Sequence, residues 1–265
     1  MASESASAAS GAVSTQNTQY DKIGTKYNSM HELPAIEPEK PSVIAVLGDI
    51  TGKRCLDLAC GTGRYTHLLS TLGAASVTGY DISSAMIAGA RAAYPGLTFA
   101  VADCSRPLAP PPPHPFDLIF AGWFLNYAGT PAELAAMFRV IEQNLAPGGR
   151  FVGITTNVHD AQMRLPKPDF YGLDIEVLDP RYVAPGDDGG EVLGIKARVV
   201  AQTAPPFGFD VFQFEADVYE RCAREAGLRL RWRDPVVPDD ERKGTGFWDR
   251  WLERPTFVVV EAGRI

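Results

Sequence analysis

The sequence predicts an α/β fold: a seven-stranded, mostly parallel sheet with helices on both faces and an antiparallel β insertion after the fifth strand. Three observations carry this. From about residue 53 to residue 155, short apolar runs alternate with amphipathic segments of helical period, the pattern of βαβ units and a parallel sheet. Over 157–214 that rhythm breaks into short β-like runs separated by Pro and Gly. One further helix and two apolar runs then follow, enough to complete the sheet.

Composition narrows the function. At 265 residues with 45% hydrophobic content, the chain can bury a real core, read as one domain over 19–265. A net charge of −7 and a pI near 5.2 exclude the basic footprint that nucleic-acid binding needs. No apolar run approaches the roughly 18 residues of a membrane span. Cys55, Cys60, Cys104 and Cys222 form no C-x-x-C pair, so neither a zinc site nor a disulfide framework is expected, and reduced thiols fit a cytoplasmic protein. Residues 1–18 carry almost nothing large and apolar and are expected to be a disordered tail; they lack the apolar core of a secretory signal and the arginines of a transit peptide.

In chain order, Tyr20, Ile23, Tyr27 and Met30 recur at helical spacing, which predicts one face of a short helix within a lid over 19–36. A helix is expected over Glu39–Leu47, with Pro41 in its first turn and Gly48 ending it. The first strand (about 53–59) breaks into the turn Gly61-Thr62-Gly63, and a helix through Leu68, Leu69 and Leu72 stops at Gly73. The second strand runs from Ser76 to Tyr80 and ends in Asp81; Ser83 or Ser84 caps a helix that turns Met86, Ile87 and Ala90 to the sheet. The third strand, Leu97–Ala102, ends in Asp103-Cys104, and the proline run to Pro115 reads as a stiff surface connection in polyproline form. The fourth strand is Phe116–Ala121. Thr130 caps a helix from Pro131 to Leu145, and Pro147-Gly148-Gly149 turns into the fifth strand, Arg150–Thr155. Within the insertion, 175–178, 192–200 and 211–214 read as strands. A helix over about 216–226, a strand over Leu228–Trp232 and a last strand over Phe257–Glu261 close the sheet, with an aromatic-rich loop or short helix at 244–251.

Asp57 lies in the first strand, while Asp81 and Asp103 close the second and third, at spacings of 24 and 22 residues, about one βα unit each. Right-handed connections bring such ends side by side along one crevice, and a carboxylate there can accept both hydroxyls of a ribose. A dinucleotide fits less well, because Thr66 stands where the G-x-G-x-x-G fingerprint needs its third glycine. A triphosphate would need the Lys-Ser/Thr of a P-loop, which this turn lacks.

These residues carry a resemblance. Leu56-Asp57-Leu58-Ala59-Cys60-Gly61-Thr62-Gly63, Tyr80-Asp81-Ile82-Ser83, Ala102-Asp103, Phe116-Asp117-Leu118-Ile119 and Leu145-Ala146-Pro147-Gly148-Gly149-Arg150 stand in the order and spacing of the class I S-adenosylmethionine-dependent methyltransferases, small-molecule type. The resemblance covers roughly 38–156 together with the terminal helix and strands, and it implies a Rossmann-like fold with S-adenosyl-L-methionine as cofactor. It further implies that the backbone of Ala59, Gly61 and Gly63 approaches the methionine part and that Asp57 orients its amino group. Asp81 would hold the ribose diol, with Ile82 on the adenine face and Met86 beside it. Asp103 and the Cys104 N–H would meet the adenine, and Ala121 and Trp123 would line the methyl side. Tyr20 and Tyr27 resemble lid tyrosines that touch the methionine carboxylate.

Displacement at a sulfonium requires the acceptor about 3–3.5 Å from the methyl carbon and needs no metal. Candidate proton acceptors are His159, His31 and Tyr127; His67 and His114 read as surface residues. The fourth strand runs into Gly122-Trp123-Phe124-Leu125-Asn126-Tyr127 rather than Asp/Asn-Pro-Pro-Tyr, which with the acidic charge points to a small-molecule substrate, in all a secondary metabolite, with the N-, O- or C-acceptor open. Phe124, Tyr127, Trp248 and Trp251 suggest an aromatic pocket covered by the insertion. The alternatives are an enzyme that uses the sulfonium without transferring its methyl, or a silent S-adenosylmethionine-binding homologue.

Overall fold

The computed structural model describes residues 19–186 and 190–265, so the tail expected over 1–18 lies outside the described residues. The N-terminal segment begins with α1 (Gln19–Ile23) and passes at Gly24 into a 3-10 stretch ending at Glu32, rather than the single α-helix expected. Gly24 is a poor α-helix former, and the tighter winding still buries Ile23 and Met30. The next helix, α2 (Glu39–Leu47), has the expected bounds.

The central sheet contains β1 (Arg54–Leu58), β2 (Ser76–Asp81), β3 (Thr98–Val101), β4 (Phe116–Gly122) and β5 (Leu145–Thr156). Between them lie α3 (Arg64–Thr71), α4 (Ser84–Ala93) and α5 (Pro131–Asn144). The insertion forms β6 (Lys167–Phe170), β7 (Leu173–Tyr182), β8 (Gly194–Ala201) and β9 (Phe207–Phe214), followed by α6 (Ala216–Glu225), β10 (Leu228–Arg233), α7 (Asp249–Glu253) and β11 (Phe257–Arg264). The first sheet has seven strands in the order β10-β11-β5-β4-β1-β2-β3. Pairings among β1 to β5 are parallel, whereas β11 runs antiparallel to both β5 and β10. The insertion is a separate antiparallel sheet, β6-β7-β8-β9.

Strand alternation sets the layers. Cys55, Leu118, Phe120 and Val259 face a core with Val43, Leu47, Leu69 and Trp251; their neighbours Leu56, Ile119 and Val260 face α5 and α6 through Phe138, Ile141 and Cys222. Hydroxyl caps fix two helix starts, with Ser83 Oγ accepting from Met86 N and Thr130 Oγ1 from Glu133 N, each at 3.2 Å.

Three sequence expectations need correction. Pro147-Gly148-Gly149 lies inside β5 rather than before it, because Leu145 already pairs with Phe116 and the extra residues bulge before the register resumes at Leu118 and Arg150. Trp248 and Trp251 line neither of the two cavities described below; they are core residues, 2% and 0% exposed, with Trp251 edge-on to Phe257 at 5.6 Å. The proline connection at 106–115 forms no regular element, and its continuous polyproline form is not a feature of the fold.

Candidate active site

Because β1 pairs with β2 on one side and β4 on the other, the direction of chain progression reverses at β1, and a crevice opens beyond the strand ends. A cavity of about 1000 Å³ occupies that crevice. Asp57, Ala59 and Gly61 contribute from the end of β1, Asp81 and Ile82 from β2, Asp103 and Cys104 from β3, and Gly122, Trp123 and Tyr127 from the end of β4.

The turn after β1 is shaped by left-handed backbone at Ala59 (φ 55) and Gly61 (φ 53), and a Cβ at Gly61 would meet no atom within 4 Å. Gly63 caps α3 at φ 85, yet it does not line the cavity: a Cβ there would lie 2.8 Å from the Phe99 ring. Its glycine is required by helix packing, not by approach to a ligand.

The three carboxylates are held differently. Asp81 accepts from Gly61 N on Oδ2 and from Ser83 N on Oδ1, both at 2.8 Å. Burial raises its pKa, and those two N–H groups oppose the rise. Asp57 is 1% exposed and accepts from Thr66 Oγ1 at 2.6 Å; burial nevertheless pushes it up to about 7. Thr66 stands where a third glycine would be because its hydroxyl is that partner. Asp103 is oriented by Ser105, whose N–H and hydroxyl both meet Oδ1, and by Arg106 at 3.2 Å from Oδ2.

The N-terminal segment closes one side. Tyr20, Tyr27 and Met30 line the cavity, Ser83 Oγ donates to Asp21 Oδ1 at 2.6 Å, and Thr62 Oγ1 donates to Asn28 Oδ1 at 2.7 Å. The Tyr20 hydroxyl bonds to that of Tyr127, and burial raises both phenols. At the far end Glu39, 2% exposed, accepts from Arg64 Nη1 (2.9 Å), Tyr65 Oη (2.7 Å) and Trp123 Nε1 (2.8 Å). Trp123 itself has φ 61, an outlier for a bulky residue, fixed by its N–H bond to Ile154 O at 2.9 Å.

Of the residues proposed from sequence, Tyr20, Tyr27, Asp57, Ala59, Gly61, Asp81, Ile82, Met86, Asp103, Cys104, Trp123, His31 and Tyr127 come together on this cavity. Gly63, Ala121 and His159 do not. Ala121 is 1% exposed and packs into the α5–α6 face of the sheet. His159 is exposed and lies edge-on to Trp232 at 5.8 Å, outside the lining of this cavity. His31 does line it, and burial, then Arg64, lower its pKa to about 4. Sequence reasoning missed Glu39, because an acid in the first turn of a helix looks like a solvated partner of the helix dipole; only its burial beneath three donors marks it.

A second chamber of about 720 Å³ adjoins the first, and Tyr27, Met30, Ile36, Trp123 and Tyr127 line both. Its remaining wall comes from the second sheet, from Thr156 at the end of β5 and the segment after it, and from Thr256. Among the described residues, no helix is long and apolar enough to cross a membrane.

Residues 55–149 match the family model described as a methyltransferase domain. Over 128 residues the chain is 34% identical to the trans-aconitate 2-methyltransferase of Acidovorax sp. (strain JS42), which covers 47% of this chain and 44% of that protein. Over 142 residues it is 30% identical to the ubiquinone biosynthesis O-methyltransferase of Neisseria meningitidis serogroup A, covering 52% and 57%. The chain thus spans about half the length of the curated relatives it matches. The crystal structure of an S-adenosylmethionine dependent methyltransferase from Mesorhizobium loti superposes with a TM-score of 0.61 at 24% identity, over 86% of this chain and 98% of that one. The DhpI-SAM-HEP complex gives 0.62 at 18% identity, over 97% and 100%. Strand order, glycine turn and strand-end carboxylates agree with the match over residues 55–149, and the fold is that of the class I S-adenosylmethionine-dependent methyltransferases.

Proposed function

We propose that the chain transfers a methyl group from S-adenosylmethionine to a small-molecule acceptor, a secondary metabolite. The observation that carries this is the convergence of Asp57, Asp81 and Asp103 with the left-handed turn at Ala59 and Gly61 on one cavity. The residues fit the cofactor: Gly61 leaves open space where a side chain would stand, and a buried acid with a pKa near 7 suits a cationic amine. Asp81, anchored by two N–H groups, would hold the ribose diol, and Asp103 with the Cys104 N–H would meet the adenine between Ile82 and Met86. Ala59, Asp57, Tyr20 and Tyr27 would enclose the methionine part, with residues 19–36 as lid and 157–214 as cover.

When bound, the cofactor supplies a methyl group on a positively charged sulfur, open to in-line displacement. Such chemistry needs alignment more than a strong base. Trp123 and Tyr127 stand between the two chambers and would align the acceptor. His31 stays neutral at pH 7, and with a pKa of about 4 it is a weak proton acceptor.

Calorimetry tests the donor half: S-adenosylhomocysteine should bind, and Asp81→Ala should weaken it at least tenfold. Equal affinity in both proteins would overturn the ribose assignment. A labelled-methyl screen of small acceptors tests the transfer half; tight cofactor binding with no labelled product would mark a binding protein instead.

A further inference from the structure

We infer that the acceptor is an uncharged molecule with an apolar body and one hydrogen-bonding end, held in the second chamber, and that polycarboxylates are excluded from it. This rests on the donor assignment proposed above. The chamber is reached from the first cavity past Trp123 and Tyr127, and its long wall is apolar: Met163, Leu173, Ile195, Val199, Phe209 and Val211. Leu165 lines it at 56% exposure, which marks where the chamber meets solvent.

Charge decides the ligand class. Among the described residues that line the chamber, only Asp160 and Lys167 are charged, 6% and 7% exposed and 3.0 Å apart. The Lys167 ammonium has three protons, and three acceptors meet them: Asp160 Oδ2, Arg254 O at 3.1 Å and Pro255 O at 3.2 Å. Arg254 in turn is tied to both Asp160 oxygens and to the carbonyls of Gln162 and Leu165. Arg64, the cation of the first cavity, is paired with Glu39 on the donor side. A carboxylate entering the chamber would lose its hydration and find no uncommitted cation.

The neutral polar side chains gather at one place. Gln213 Nε2 donates to Asn157 O at 2.6 Å, Asn157 Nδ2 donates to Pro255 O at 3.1 Å, and Thr156 lies opposite Phe257, next to Thr256. Thr156, Gln213 and Thr256 therefore form a hydrogen-bonding end at the end of β5, with the apolar wall running away along β7, β8 and β9. The family match ends at residue 149, before every strand of that wall, so likeness to relatives over the core does not extend to the acceptor's surroundings.

The test uses the full chain with saturating S-adenosylhomocysteine and the neutral fluorophore N-phenyl-1-naphthylamine. The fluorophore should bind, and Val199→Trp and Ala197→Phe, both on β8 and lining the chamber, should each weaken it at least tenfold while the S-adenosylhomocysteine affinity stays within twofold. Trans-aconitate and citrate should neither displace it nor take labelled methyl, whereas uncharged phenols and alcohols should compete. Displacement or methylation of a tricarboxylate would overturn the inference, as would fluorophore binding indifferent to both variants. Loss of S-adenosylhomocysteine binding with an intact, variant-sensitive fluorophore response would instead sink the donor assignment.

Discussion

The Trp123 indole N–H donates to Glu39 Oε1 at 2.8 Å, joining the start of α2 to the end of β4 across 84 residues of sequence. The other oxygen of the same carboxylate receives Arg64 and Tyr65 from α3, so one buried acid ties three elements to the rim of the first cavity. The backbone of Trp123, at φ 61, is held in place from both sides by that bond and by Ile154 O.

Removing that acid should therefore be costly. Glu39→Ala leaves the Tyr65 hydroxyl and the Trp123 N–H without their acceptor and Arg64 without its counter-charge, a loss of about 3–5 kcal/mol by analogy with broken buried pairs. Urea denaturation would read it. A loss below about 1 kcal/mol, within the range of an exposed ion pair, would show that the three donors are satisfied elsewhere.

Asp57 should make cofactor binding release protons. Its folded pKa is raised to about 7 from 3.8, so its contribution to stability is full below about pH 4 and is lost as pH rises through 7. An ammonium placed beside it would force ionisation. At pH 6, calorimetry of S-adenosylhomocysteine in buffers of different ionisation enthalpy should report proton release, and Asp57→Asn should abolish it. Wild-type enthalpies independent of buffer would remove Asp57 from the amino-group role.

His31 should act in the opposite sense. Its folded pKa is depressed to about 4 from 6.5, so the unfolded chain takes up a proton that the folded chain refuses. The stability it confers is present above pH 6.5 and is lost as pH falls toward 4. Melting curves between those limits should fall less steeply for His31→Phe than for the wild type. Parallel slopes would mean that His31 is solvated in solution.

The two glycines of the turn should separate binding from stability. Gly63→Ala sets a methyl 2.8 Å from the Phe99 ring at φ 85 and should lower stability by roughly 2–4 kcal/mol. Gly61→Ala meets no protein atom, so its stability cost is that of the left-handed backbone, about 1–2 kcal/mol, while its methyl enters the cavity. S-adenosylhomocysteine affinity should accordingly drop most for Gly61→Ala, and the melting temperature most for Gly63→Ala. The reverse ranking would contradict the geometry.

The sheet was legible because its information is local. The continuously buried run Cys55–Leu58, the caps at Ser83 and Thr130 and the stop at Gly48 each depend on a few adjacent residues, and each lies where the sequence places it. Asp57, Asp81 and Asp103 were legible as a set because parallel connections convert an even spacing into a row. What failed depends on distant partners. His31 and His159 both follow elements near the strand ends, but only packing sends one into the cavity and the other against Trp232. Glu39 and Lys167 look like surface charges until the fold brings Trp123 and Asp160 against them and buries them. Trp248 and Trp251 show the converse, since large aromatics serve a core as readily as a pocket.

The wall of the second chamber takes only Trp123 and Tyr127 from residues 55–149; its other members belong to the N-terminal segment, the last residue of β5 and the stretch after it, the second sheet and Thr256. On the assignment proposed above, most of the acceptor's surroundings lie outside the passage that holds the strand-end carboxylates. A directed-evolution library confined to β7, β8 and β9 would therefore remodel the second chamber's wall while leaving the crevice at the strand ends as it is, so that what is recognised could change without rebuilding the rest of the scaffold.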